Sequence, residues 1–128
     1  MLFWANTPAR LFFPVIMLDF LKPAPESYQN LPADPFAEGL RQPGAVLLDV
    51  RRPDEFAQGH LPGAHNIDAT SPDFAQRMAT LDSSQPTYVY CRSGARSAKA
   101  AAFLSTAGFG QVFNLTGGVL DWPHALVR

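Results

Sequence analysis

The residues best suited to chemistry are CRSGARS, residues 91 to 97. Cys91 is the only cysteine in the chain, and it follows the β-branched and aromatic run TYVY. A free thiol titrates near about 8.5, and cations together with a helix N-terminus bring that value down to roughly 3.5–7.5. Both influences are present. RSGA leads straight into a helical pattern at Ser97, so unpaired backbone N–H groups point back toward the sulfur. Arg92 and Arg96 bring guanidinium groups, Gly94 lets the chain curl without a Cβ, and Ser93 and Ser97 add hydroxyl donors. A lone cysteine at a strand end is more often an inert core side chain. A core cysteine, however, needs no loop of two arginines, two serines and a glycine. The surround points to a thiolate nucleophile.

Other polar residues are less specific. His60, His65 and His124 are scattered without a regular ligand spacing. One cysteine makes no internal disulfide, and no Cys/His pattern suggests zinc. No metal or organic cofactor is expected, and a lone usable thiol suits a reducing, cytoplasmic setting. Asp49 and Arg51 close the apolar run AVLLDV, residues 45 to 50 and the position after it. Asp49 reads as a buried, hydrogen-bonded carboxylate beside arginines rather than a catalytic acid. His60 reads as a loop hydrogen-bond donor, and Arg52 and Asp54 as solvated charges.

The elements must bring these residues together. At 128 residues the chain suits one domain burying roughly two-thirds of its unfolded surface. Hydrophobic and charged contents of 47% and 16% are those of a globular protein. A net charge of −1 offers no field for nucleic acid or acidic lipid. A short strand is expected around Tyr28 to Leu31, then a helix with Asp34 as N-cap and Pro35 at its first position. AVLLDV and TYVYC, the latter ending on Cys91, have the length and continuous apolarity of strands covered on both faces. RPDEFAQG is a short helix closed by Gly59, and GHLPGAHNI is a loop with a brief strand. Ser71-Pro72 opens a helix whose buried face is Phe74, Met78 and Leu81. SAKAAAFLSTAGF is a helix ending near Gly108, with Ala98, Ala101 and Ala102 set to approach a sheet. QVFNL is a last strand, and GGVLDW opens a final short helix. Strands alternating with helices give an α/β fold, a central mainly parallel sheet flanked by helices. Ligands of such sheets bind at the carboxyl ends of the strands, which is where Cys91 and Asp49 to Arg51 fall.

Taken together, CRSGARS, the upstream LLDVRRPDEFAQGHLPGAHNI and the downstream LTGGVLDW resemble a single-domain rhodanese, a thiosulfate or persulfide sulfurtransferase. The likeness runs from about Tyr28 to Trp122 and implies a rhodanese-like domain over residues 28 to 128. It implies that Cys91 accepts a sulfane sulfur and becomes a persulfide. Arg92, Ser93, Gly94, Ala95 and Arg96 would form a substrate-binding cradle of backbone N–H groups, with Arg92 at its mouth and Arg96 closing it. Asp49 and Arg51 would form a supporting polar network beneath the loop, with Ser97 also supporting it, while His60, Gly63, Gly118 and Trp122 match positions read as structural. The donor would be a small sulfur anion such as thiosulfate. The acceptor would be cyanide or a thiol, including thioredoxin or another sulfur-relay protein. Two covalent half-reactions imply ping-pong kinetics.

Other classes fit less well. Cysteine-dependent phosphatases place the arginine after five intervening residues, whereas four separate Cys91 from Arg96, and position 90 is Tyr where those enzymes carry His. Arsenate reduction, a relative of both chemistries, also ranks low. A redox sensor or a non-catalytic binding module is a separate class; this chain has no resolving thiol, so a sensor would have to pair with another protein or with glutathione.

The N-terminus stands outside the likeness. Residues 1 to 22 are apolar but interrupted by Asn6, Arg10 and Asp19, and the uncharged run Leu11 to Leu18 is far short of the roughly 20 residues of a membrane span. The segment lacks the basic start and small-residue cleavage site of a signal peptide. Met17 is an alternative start, and residues 23 to 35 read as a Pro-rich linker into the fold.

Overall fold

The apolar runs assemble into one sheet in the computed structural model, which describes residues 28–128. Its strands are β1 (Tyr28–Leu31), β2 (Val46–Asp49), β3 (His65–Asn66), β4 (Thr87–Tyr90) and β5 (Val112–Leu115). They lie in the order β1-β5-β4-β2-β3, and every pairing is parallel. The most apolar runs, β4 and β2, take inner positions where both faces are covered, whereas the two-residue β3 is an edge. Parallel direction gathers the carboxyl ends of β2, β4 and β5 along one side.

Strand alternation divides the core into two clusters. Leu48, Val50, Val89 and Cys91 face Ala100, Ala101 and Leu104 of helix α4 (Ala95–Thr106). Leu47, Tyr88, Tyr90 and Leu115 face Phe36 of α1 (Ala33–Leu40) together with Leu61. Helix α2 (Pro53–Gln58) follows β2, and α3 (Phe74–Met78) precedes β4. A 3-10 turn, Gly118–Asp121, follows β5.

Local starts and faces differ from the sequence expectations in four places. Helix α1 is capped by Pro32, not Asp34, so Asp34 lies in its first turn and Pro35 two residues further in than expected. Pro35 still sits where no intrahelical N–H is required, and Asp34 suits the positive end of the helix. The segment after Ser71-Pro72 is first a turn, with the Phe74 N–H on the Ser71 carbonyl at 3.1 Å, and the helix is only Phe74–Met78. Phe74, Met78 and Leu81 nevertheless join one cluster. In α4 the inward face is Ser97, Ala100, Ala101 and Leu104; Ala98 is half-buried and Ala102 exposed. Cys91 lies one residue beyond β4 rather than within it. The N-terminal extension and the start of the linker fall outside the described residues, as does any alternative start at Met17.

Candidate active site

Beyond β4 the backbone turns through Gly94 at φ +102° and enters α4 with Gly94 as its N-cap. This turn brings the first-turn donors of the helix back onto Cys91. The Gly94 N–H donates to Sγ at 3.1 Å, and both the N–H and the Oγ of Ser97 donate to it at 3.4 Å. Cys91 is 0% exposed and packed among apolar side chains on one side, so burial pushes its thiol up. The Ser97 hydroxyl, the Ser97 and Gly94 amides and the Ser93 amide together outweigh burial and hold it below the ordinary thiol value. Negative charge on this sulfur is stabilised by donors already in place.

The segment after β5 fixes the loop from behind. The Val119 N–H donates to the Cys91 carbonyl at 3.0 Å and the Leu120 N–H to the Arg92 carbonyl at 3.1 Å. In a trans peptide the C=O and the following N–H point in opposite directions. Holding these two carbonyls against the 3-10 turn therefore aims the Arg92 and Ser93 amides the other way, into the loop. Close approach makes this possible. A Cβ on Gly118, whose φ is +60°, would lie 2.4 Å from the Arg92 carbonyl oxygen and 2.6 Å from that of Cys91. The buried Asn114 side chain of β5 adds a 3.4 Å hydrogen bond to the Gly94 carbonyl.

The two arginines of the loop differ. Arg92 is exposed and makes no ion pair among the described residues. Arg96 is clamped by Glu55 of α2, Nη1 to Oε1 at 3.1 Å and Nη2 to Oε2 at 3.3 Å. The hydrogen bond from Arg96 holds the Glu55 carboxyl below its usual range, and the same bond raises Arg96, which also feels the Cys91 charge. Glu55 was not singled out by sequence. Its position three residues after the helix N-cap carries a capping signal, realised as the Arg52 N–H on Oε1 at 3.1 Å, but the partner 41 residues away is a product of the fold.

Asp49 and Arg51 do form a buried network, on the opposite face of the sheet from the Cys91 side chain. Arg51 Nε and Nη2 donate to Asp49 at 3.0 and 2.7 Å, and Nη2 also donates to the Gly59 carbonyl at 2.7 Å. The Tyr90 hydroxyl donates to Asp49 Oδ2 at 2.7 Å and accepts the Leu61 N–H at 3.0 Å. Burial, reinforced by the Asp49 carboxylate, pushes the Tyr90 phenol up. Tyr90 is thus the hub that anchors the residue before Cys91, a role its aromatic type did not disclose. Ser97, by contrast, touches the sulfur itself. His60 stacks on Phe56 at 3.7 Å with its Nδ1 on the Phe56 carbonyl, away from the thiol. Among the described residues no cluster of His, Cys, Asp or Glu is gathered for a metal, and no helix is long and apolar enough to cross a membrane.

A buried sulfur ringed by amides at a strand–helix junction can act as a nucleophile and carry an anionic adduct. Comparison with known proteins agrees with that chemistry. The rhodanese-like domain family matches residues 32–125. The chain is 38% identical over 109 residues to thiosulfate sulfurtransferase GlpE of Stutzerimonas stutzeri, covering 84% of this chain and 89% of that one. It is 40% identical over 79 residues to a sulfurtransferase of Allochromatium vinosum, covering 62% and 72% respectively. A rhodanese-related protein of Thermoplasma volcanium superposes with a TM-score of 0.69 at 28% identity, over 78% of this chain and 98% of that one. Given this match across most of the described fold, the chain belongs to the rhodanese-like domain family, and its activity is that of a sulfurtransferase.

Proposed function

We propose that Cys91 carries the sulfur, as a persulfide formed from thiosulfate or a persulfide donor and discharged to cyanide or a thiol. The thiolate attacks the outer sulfur of thiosulfate, a new S–S bond forms, and the old S–S bond breaks with its electron pair leaving on sulfite. A second nucleophile then attacks the outer sulfur of the persulfide and regenerates the Cys91 thiolate. The observation that carries this reading is the convergence of two amides and one hydroxyl on a single sulfur. The relative from Stutzerimonas stutzeri, named for thiosulfate, supports the choice of donor.

The Cys91 sulfur is already surrounded, so the amides of Arg92, Ala95 and Arg96 are the ones left to hold the outer sulfur. They would act on sulfur as an oxyanion hole acts on oxygen. Because Cys91 is buried while Arg92, Ser93 and Ala95 are exposed, adding one sulfur moves the reacting atom toward solvent. Arg92 draws the anionic donor, and Arg96, steadied by Glu55, closes the cradle. Asp49, Arg51 and Tyr90 keep the strand ends in register. Thioredoxin or another sulfur-relay protein is the thiol acceptor we favour, in a cytoplasmic setting that keeps Cys91 reduced. The test is intact-mass analysis after incubation with thiosulfate. One sulfur should add to the wild type and none to Cys91→Ser, and an unmodified, folded wild-type protein would defeat the reading.

A further inference from the structure

Beside the loop, a cavity of about 290 Å³ opens between α4 and the segment from Ala69 to Phe74 that leads into α3, with Arg96, Lys99, Ala100 and Phe103 on its α4 side. Arg96, Lys99, Ala100 and Phe103 recur at helical spacing, so they form one ridge of α4. At ~1.5 Å per residue this ridge leads about 10 Å away from the sulfur loop. Its far end is aromatic, with the Phe74 and Phe103 rings 5.6 Å apart and Phe103 38% exposed. Its middle is cationic. Arg96 is neutralised by Glu55, whereas Lys99 has no ion pair among the described residues. Two carboxylates flank lining residues in the sequence: Asp68, before Ala69, accepts from the Thr70 N–H and hydroxyl, both at 2.8 Å, and Asp73, before Phe74, accepts from the Ser71 hydroxyl. Thiosulfate has no part that reaches along such a groove.

We propose that this groove is a subsite for the carrier part of a small organic persulfide bearing a carboxylate. The assignment rests on the sulfurtransferase reading of Cys91. The carboxylate pairs with Lys99, the aliphatic body lies against Phe74 and Phe103, and the terminal sulfur enters the loop at Arg96. In the step served, the Cys91 thiolate attacks the outer sulfur of R–S–S⁻. The Sγ–S bond forms, the S–S bond joining that sulfur to the R–S group breaks, and the thiolate R–S⁻ leaves with the electron pair, so charge and electrons balance without an oxidant. The leaving thiolate remains in the groove, and the same contacts serve the reverse transfer to a thiol.

The test uses the full chain, with glutathione persulfide and its diethyl ester as carboxylated and masked probes and thiosulfate as reference donor. Lys99→Glu should lower the ratio of kcat/KM for glutathione persulfide to that for thiosulfate about five- to tenfold, mostly through KM. Esterification should reproduce that loss in the wild type and leave Lys99→Glu little further to lose. An unchanged donor ratio would overturn the subsite, because Lys99 would then act only as part of the general field at the mouth. Independently of turnover, reduced glutathione should shift the NMR resonances of Lys99 and Phe103 saturably in Cys91→Ser. Absence of any shift, or displacement by a protein thiol alone, also overturns it. Failure of every donor to add sulfur, with the glutathione shifts intact, would instead refute the reading of Cys91 and leave the groove standing.

Discussion

Replacing Ser97 with alanine removes the one hydroxyl donor on the Cys91 sulfur while the helix keeps the Ser97 N–H in place at 3.4 Å. A hydrogen bond to a charged acceptor contributes roughly 1.5–3 kcal/mol, and a long contact to diffuse sulfur belongs at the lower end. Because about 1.4 kcal/mol is tenfold in an equilibrium, the thiolate-to-thiol ratio should fall about tenfold in Ser97→Ala at any pH where both forms are measurable. The sign of the pH effect follows. The folded thiol titrates below its ordinary value, so its contribution to stability is fully present above the ordinary thiol range and is lost as the pH falls through the lowered value. Ser97→Ala should lie closest to the wild type in acid and fall further behind as the pH rises. Thiolate ultraviolet absorbance against pH, paired with urea unfolding at several pH values, measures both effects. Coincident titration curves would refute the idea that this hydroxyl holds the charge.

Three other perturbations reach different parts of the site. Gly118→Ala puts a methyl group 2.4 Å from the Arg92 carbonyl oxygen at φ +60°, so it should cost at least ~2 kcal/mol and reduce sulfur loading of Cys91 more than tenfold, measured by unfolding and intact mass. Tyr90→Phe leaves the Leu61 N–H unsatisfied and strips one donor from buried Asp49, so urea unfolding should show a loss of about 2–3 kcal/mol; a loss under ~0.5 kcal/mol would mean the hub is dispensable. Glu55→Gln breaks a partly buried pair, a loss of about 0.5–1 kcal/mol. Since Arg96 holds the Glu55 carboxyl below its usual range, that stabilisation exists above the ordinary carboxylate range and fades as the pH falls, so the acid limb of the variant's stability curve should be flatter than the wild type's.

Much of this could be read from the sequence because the signals were local. AVLLDV and TYVYC carry their strand character within themselves, and Gly94 beside Cys91 announces a turn into a helix. Which face of α4 meets the sheet was harder, because alanines occur all round it; Ser97 and Leu104, not Ala98 and Ala102, mark the buried stripe. Helix α3 starts late because the turn at Ser71–Asp73 uses residues the spacing had assigned to its first turn. The clamp of Glu55 on Arg96, the bridge of Tyr90 between Asp49 and Leu61, and the contact of Asn114 with Gly94 link residues 20 to 41 positions apart. No periodicity or motif encodes such pairs; they exist only once β2, β4 and β5 lie side by side. The groove along Lys99 and Phe103 is visible for the same reason only when the segment from Ala69 to Phe74 is set against α4.

The two hydrogen bonds from Val119 and Leu120 have a consequence for how the protein can fail. A peptide unit released from such a tether is free to rotate, and half a turn would show the sulfur a carbonyl lone pair instead of a hydrogen. The polarity around the nucleophile would then reverse while every side chain stayed where it was. Damage to a stretch far downstream of the cysteine, touching no donor molecule, is therefore able to silence it.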